Sequence, residues 1–304
     1  MSMPNFYRLH SVSVLDISGV DAEKIVHNLT TNDIKKLAAH QGCESFITDI
    51  KGKTLGHVLV YRGDQAIRLI GAPGQSARVA AHVEKYTIVE DALPQVLDEQ
   101  LVALVVEPGS VQSVNPAVGQ ISDELREVAL AELHAAAYGV PWLGPGTVVL
   151  LCASATAAAT EQQLIDRSMV KGEEAEFHRR RIAAGFPWCG VDFDDRNLPQ
   201  EIDRDATAIS FTKGCYLGQE TVARLDAMGQ VQKKLVRWSL NGAIPTAGAE
   251  LRDAEKVVGR LTSVTRSSEN QAIAIGMARR SHFEPGARAI GVTQEADEFT
   301  AVVI

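Results

Sequence analysis

The sequence predicts an α+β protein that ends in a small all-β domain. Three observations carry this. Apolar runs with strand and helix periodicity alternate along the first two-thirds of the chain. Two β-rich runs, Phe46 to Ile50 and Thr54 to Tyr61, are joined only by Lys51-Gly52-Lys53. A turn that short makes an antiparallel hairpin and disfavours a purely parallel sheet. After Gly229 the texture changes to short β runs punctuated by Gly, Pro and Asn.

The elements follow in order. A short strand begins at Leu15 and turns at Gly19-Val20-Asp21, where Asp21 caps a helix with Ile25, Val26 and Leu29 on one face. After the hairpin, Arg62-Gly63-Asp64 turns the chain into a strand from Ala66 to Ile70. A helix from about Gln75 to Tyr86 places Val79, Ala80 and Val83 inward, and a strand covers Leu101 to Val106. Residues 121–137 have helical spacing through Ile121, Leu125, Val128, Ala129 and Leu133. Thr147 to Ala153 is β-rich, and 161–184 carry one or two helices. The closing runs are Lys233 to Leu240, Glu250 to Arg252, Gly259 to Arg266, Ala272 to Ala278, Arg288 to Val292 and Thr300 to Ile304. They have the pattern of a small barrel or sandwich, which sets a boundary near 230 and domains of 1–229 and 230–304.

With 304 residues, 45% hydrophobic and 22% charged, the chain has the composition of a globular protein that can bury large cores. No apolar run approaches a membrane span, and Met1 to Val20 lack the pattern of a secretory signal. The net charge of −8 disfavours direct, sequence-blind binding to nucleic acid. The consecutive Arg179, Arg180 and Arg181 point to different sides of a helix and read as solvated. The 4 cysteines, at 43, 152, 189 and 215, have no C-x-x-C spacing, which argues against a self-contained zinc or cluster site. A reducing, cytoplasmic setting is expected. Neither G-x-G-x-x-G nor a P-loop is present.

The stretch from Lys213 to Arg224, KGCYLGQETVAR, is the most informative. Gly214 permits a turn, and Tyr216 to Asp226 reads as a helix with Val222 and Leu225 inward. Cys215 then lies near a helix N-terminus with Lys213 close by, two features that favour a thiolate. The spacing alone equally allows a small buried hydrophobe.

The string K-G-C-Y-x-G-Q-E resembles the signature of the YgfZ family, folate-binding relatives of the glycine cleavage T-protein. Leu15 to Ala22, Leu29-Thr30-Thr31-Asn32-Asp33, Thr48 to Lys53, Arg181 to Pro187, Gly190-Val191-Asp192, Leu198 to Glu201 and Thr262-Ser263 extend the resemblance over most of the chain. It implies two interleaved ferredoxin-like α+β lobes and a C-terminal β-barrel, set as a three-part ring around a channel for tetrahydrofolate or a one-carbon derivative. It further implies a role in assembly or repair of iron–sulfur enzymes, some of them tRNA-modifying. Partners would be those client enzymes or cluster carrier proteins.

Carried over residue by residue, Glu201 matches the pterin-binding glutamate, and a carboxylate suits the paired N–H donors of a pterin edge. Phe186 and Trp188 are candidates to stack on the ring, although buried aromatics commonly serve only as core. Gln219 and Glu220 of the same string are placed on the cofactor side. Cys215 is the candidate functional thiol and Lys213 its companion. T-protein chemistry needs an aspartate on the segment after the third strand. Here that segment, Gly71 to Val83, contains neither Asp nor Glu, and the first acid beyond it is Glu84. The gap points away from aminomethyl transfer. His82 on this segment reads as a solvated or satisfied histidine.

Overall fold

The structure is a computed structural model and describes residues 5–114, 125–229 and 231–304. Two antiparallel-rich sheets and a closed barrel share one chain. The first sheet contains β2 (Ser13–Ser18), β3 (Gly42–Thr48), β4 (Thr54–Arg62), β5 (Ala66–Gly71) and β6 (Leu93–Val96), in the order β3-β4-β5-β2-β6. Helices α1 (Ala22–Leu29) and α2 (Ser76–Tyr86) bury Ile25, Val26, Leu29, Val79 and Val83 against it. This follows the predicted apolar faces, except that Ala80 is only partly buried.

The second sheet orders β11-β1-β7-β10-β9-β8. Its strands are β1 (Asn5–Arg8), β7 (Leu101–Val106), β8 (Glu127–Leu130), β9 (Ala135–Val140), β10 (Thr147–Ala153) and β11 (Val170–Gly172), with α3 (Val111–Val114), α4 (Ala157–Asp166) and α5 (Glu174–Ala184) between or after them. The chain enters through β1 in this sheet, builds the whole first sheet, and returns at β7 beside β1. The lobes are interleaved for that reason.

The helix expected over 121–137 is corrected in part. Ile121 lies outside the described residues, while Glu127–Leu130 and Ala135–Val140 are paired strands. His134, at φ 47°, breaks the run between them. Pairing with β10 fully buries Ala137 and Tyr138, so the sheet overrides the alanines' helical preference.

Short segments then lead through α6 (Asp205–Ala208) and α7 (Gln219–Met228) to the barrel. All six predicted β runs form it: β12 (Lys233–Gly242), β13 (Glu250–Asp253), β14 (Lys256–Ser268), β15 (Gln271–Arg279), β16 (Arg288–Val292) and β17 (Glu298–Val303) close in the order β12-β15-β14-β13-β16-β17. Closure leaves no free strand edge. One apolar core joins all three parts, with Phe46 and Tyr61 from the first sheet, Tyr138 from the second and Leu235 and Ile275 from the barrel. No described helix is long and apolar enough to cross a membrane.

Candidate functional site

The loop around Cys215 is held by main-chain partners far away in sequence. Leu217 N–H donates to Asn28 O at 2.8 Å, and Ser210 N–H to Thr31 O at 3.0 Å. Thr31 Oγ1 donates to Ala208 O at 2.6 Å, and Asn32 Nδ2 to Thr207 O at 2.9 Å. The exit of α1 is thus stitched along the whole segment before α7. The Lys51–Lys53 turn packs there too: a Cβ on Gly218 would lie 2.4 Å from Asp49 O and 2.8 Å from Gly52 Cα. Only glycine allows that approach, and Gly218 is also left-handed at φ +80°. Three separate resemblance motifs therefore meet at one place.

Two local expectations are corrected. Helix α7 begins at Gln219, with Gly218 as its cap, so Cys215 stands before the first helical turn. The left-handed glycine is Gly218, and Gly214 does not take that conformation. The role of Lys213 changes as well. It is 6% exposed, and its ammonium donates to the carbonyls of His27, Thr30 and Asn32 at 2.6, 2.6 and 2.9 Å, with the Tyr216 ring centroid 4.9 Å away. Three carbonyls match the three donors of an ammonium. Burial pulls its pKa down to about 8, which still leaves it charged at neutrality. No hydrogen bond joins it to Cys215 among the described residues, so it anchors the loop rather than the thiol.

Cys215 itself is exposed. It borders a groove of about 370 Å³ with Ile25, Asn28, Leu29, Tyr86, Glu90, Tyr216 and Leu217. Gln219 is half-buried and Glu220 exposed, both in the first turn of α7, where a carboxylate complements the helix dipole.

Glu201 lies in a 3₁₀ turn, Pro199–Ile202, and is 7% exposed. Its Oε2 accepts from Asn197 Nδ2 at 2.8 Å and from Leu198 N–H at 3.2 Å, with Lys233 Nζ at 3.5 Å. These contacts fall on one oxygen; among the described residues Oε1 has no hydrogen bond. Gln200 Nε2 donates to Val222 O at 2.7 Å, tying this turn to α7. The fold thereby brings the Glu201 turn and the Cys215 loop onto the same helix.

Phe186 and Trp188 are core side chains, 5% and 4% exposed. Phe186 stacks on His57 at 5.5 Å, and Trp188 meets Trp142 and Phe177 edge-on at 5.3 and 5.5 Å. The cavity beside them, bordered by His57, Gly71, Ala72 and Cys189, measures about 10 Å³. That is room for at most one water. It leaves no space for a ring the size of a pterin between Phe186 and Trp188.

The residues that sequence reading missed are polar and buried. Glu44, 2% exposed on β3, accepts from His57 Nε2 at 2.6 Å, from Arg204 Nε and Nη2 at 2.7 and 2.5 Å, and from Thr207 Oγ1 at 2.8 Å. Burial alone pushes this carboxyl up, but the bonds from His57 and Arg204 outweigh it and hold the pKa at about 2. Arg181, expected to be solvated, is 2% exposed and bonds Asp192 at 2.8 Å. Asp192 also accepts from Trp188 N–H at 2.8 Å and from Thr262 and Ser263 of β14, each at 2.6 Å, locking the lobes to the barrel. An acid inside a β-rich run was the one local signal for Glu44; Arg181, Asp192, Thr262 and Ser263 lay in stretches that carry the resemblance, but no spacing marked them as partners. His82 is buried and satisfied by Thr48 O at 3.1 Å. No group of three metal-ligating side chains occurs among the described residues.

No family model matches the chain. It is 27% identical over 255 residues to the tRNA-modifying protein YgfZ of Yersinia pestis (strain Pestoides F), covering 79% of this chain and 72% of that protein. Identity to the tRNA-modifying protein YgfZ of Yersinia enterocolitica is 27% over 257 residues, with 79% and 72% covered. The fold matches the glycine cleavage system aminomethyltransferase T from Bartonella henselae with a TM-score of 0.87 at 16% identity, covering 99% of this chain and 85% of that one. Similarity along most of the chain to proteins named YgfZ, on an aminomethyltransferase T fold, bears out the family resemblance read from the string Lys213 to Glu220.

Proposed function

We propose that this chain is a folate-binding, YgfZ-like factor that supports iron–sulfur enzymes, including tRNA-modifying ones, from a cytoplasmic setting. Glu201 would hold tetrahydrofolate or a one-carbon derivative, and Cys215 would act on, or lend one ligand to, the cluster of a client enzyme or carrier protein. The observation that carries the folate half is the buried Glu201 carboxylate, whose hydrogen bonds all fall on Oε2 among the described residues. A charged oxygen is thereby left for the N–H edge of a pterin. Cys215 supports the second half by lying exposed at the rim of a groove, where another macromolecule can reach it. A single thiol does not hold a cluster alone, so a client or carrier must supply the remaining ligands.

A second reading, tetrahydrofolate-dependent aminomethyl transfer, shares this fold, and one fold hosts different chemistries. The segment from Gly71 to Val83 favours the first reading, because it offers no carboxylate to poise over the reacting nitrogen. His82 does not replace one: its ring is spent on Thr48 O, and burial lowers its pKa.

Calorimetric titration with tetrahydrofolate and its 5-formyl derivative tests the reading. Wild type should bind, and Glu201→Gln should weaken binding by about 1–3 kcal/mol. Cys215→Ser should bind normally yet fail to support iron–sulfur enzymes in a strain lacking the native protein. Absence of binding at millimolar folate removes the folate half. Turnover of an aminomethylated lipoyl carrier at about 1 per second would promote the second reading.

A further inference from the structure

We propose that Glu44 is a positioning residue for Glu201, acting through Arg204 and Thr207; the proposal rests on reading Glu201 as the pterin-binding carboxylate. Arg204 follows Glu201 by three residues, and between them Asp203 sits in the left-handed region at φ 61°. Aspartate enters that region more readily than most side chains, and here its surroundings hold it there. Two contacts do so. Asp203 pairs with Lys234 Nζ at 3.0 Å, an exposed contact that water competes with. The other is the fork of Arg204 on Glu44, through Nε and Nη2 at 2.7 and 2.5 Å. A two-point guanidinium–carboxylate contact sets an orientation as well as a distance.

Thr207 Oγ1 adds a bond from within α6, so Glu44 grips both sides of that helical turn. His57 Nε2 holds the remaining direction of the carboxylate, and the His57 ring is itself packed on Phe46 at 4.8 Å and Phe186 at 5.5 Å. Arg204 Cζ lies 5.2 Å from the Phe186 centroid. The grip therefore rests on a rigid strand and a ring stack. Locally, Glu201 is held at Oε2 by Asn197 and Leu198, with Lys233 Nζ at 3.5 Å. Its main chain downstream is held by the Glu44 grip at Arg204 and Thr207, and further on by the bonds of Thr31 and Asn32 to Ala208 O and Thr207 O. A buried ion pair adds little stability over an apolar replacement, and the geometry it imposes is what distinguishes it here.

The experiment is a double-mutant cycle read by calorimetric titration with tetrahydrofolate. Glu44→Gln keeps the shape of the side chain and should weaken binding about tenfold, while the double variant with Glu201→Gln should bind no worse than Glu201→Gln alone, because coupled residues are not additive. A folded Glu44→Gln that binds like wild type overturns the proposal. So do losses that simply add, since a merely structural role would lower affinity whether or not Glu201 is present. If Glu44→Gln does not fold, Thr207→Val decides: this exposed residue gives up its bond to Glu44 and a longer one to Arg204 O at 3.3 Å, and about threefold weaker binding, absent in the Glu201→Gln background, is expected. Unchanged affinity in Thr207→Val overturns the proposal. Wild-type affinity in Glu201→Gln would instead remove the pterin reading itself, and this proposal with it.

Discussion

Lys213 donates a hydrogen bond to the main-chain carbonyl of His27 at 2.6 Å, across 186 residues of sequence. The lysine thereby caps the C-terminal end of α1, where unpaired carbonyls and the negative end of the helix dipole favour a cation. Its other two donors meet Thr30 and Asn32. The loop bearing Cys215 is in effect screwed to α1 by one side chain.

Lys213→Met should therefore destabilise the protein by about 2–4 kcal/mol, since it leaves buried carbonyls without a charged donor. Urea denaturation measures this. A change under about 0.5 kcal/mol would match an ordinary surface site and remove the anchoring role.

Cys215 should alkylate before the other three cysteines. It is exposed, whereas burial pushes the Cys43 thiol up to about 12, Cys189 to about 11, and Cys152 upward as well. Only the thiolate reacts. Timed iodoacetamide labelling with peptide mass analysis gives the order, and equal rates at all four sites would contradict it.

Gly218→Ala should cost about 2 kcal/mol or more, because it adds left-handed strain to a contact that has no room for a methyl group. The new Cβ would meet Asp49 O at 2.4 Å in the Lys51–Lys53 turn. Gly214, with open space around its Cβ position, is the control: Gly214→Ala should be tolerated. Equal melting temperatures for the two variants would refute the distinction.

Acid should destabilise the fold in two stages. Burial, then the charges of Lys213 and Lys35, push His27 down from 6.5 to about 4, against the pull of Asp33. The unfolded chain then binds the proton more readily, so stability falls as pH drops from 6.5 towards 4. Glu44, held at about 2 against an ordinary 4.5, contributes stability above 4.5 that is lost as pH falls through 2. Denaturation midpoints at a series of pH values should show both stages. His27→Gln should make the first stage shallower and leave the second, because burial lowers His178, to about 4, and His82 as well; an unchanged slope between pH 6.5 and 4 would exclude His27 as a contributor.

Elements whose patterns are local were legible from the residues alone. The helix faces at Ile25–Leu29 and Val79–Val83, the hairpin at Lys51–Lys53 and the six barrel strands follow from periodicities and turn residues that neighbouring positions set among themselves. The string Lys213 to Glu220 likewise marked the loop that carries the exposed thiol. What Lys213 does with its charge was decided only by the tertiary fold, which delivers the carbonyls of His27, Thr30 and Asn32 to it. The same holds for Glu44, whose partners lie 13, 160 and 163 residues away, and for Arg181, which packing turned from a surface charge into a buried bond to Asp192. Ala135–Val140 became a strand because β10 was there to pair with it. A buried polar group needs partners from whichever segments the fold brings near, and no local spacing records which those will be.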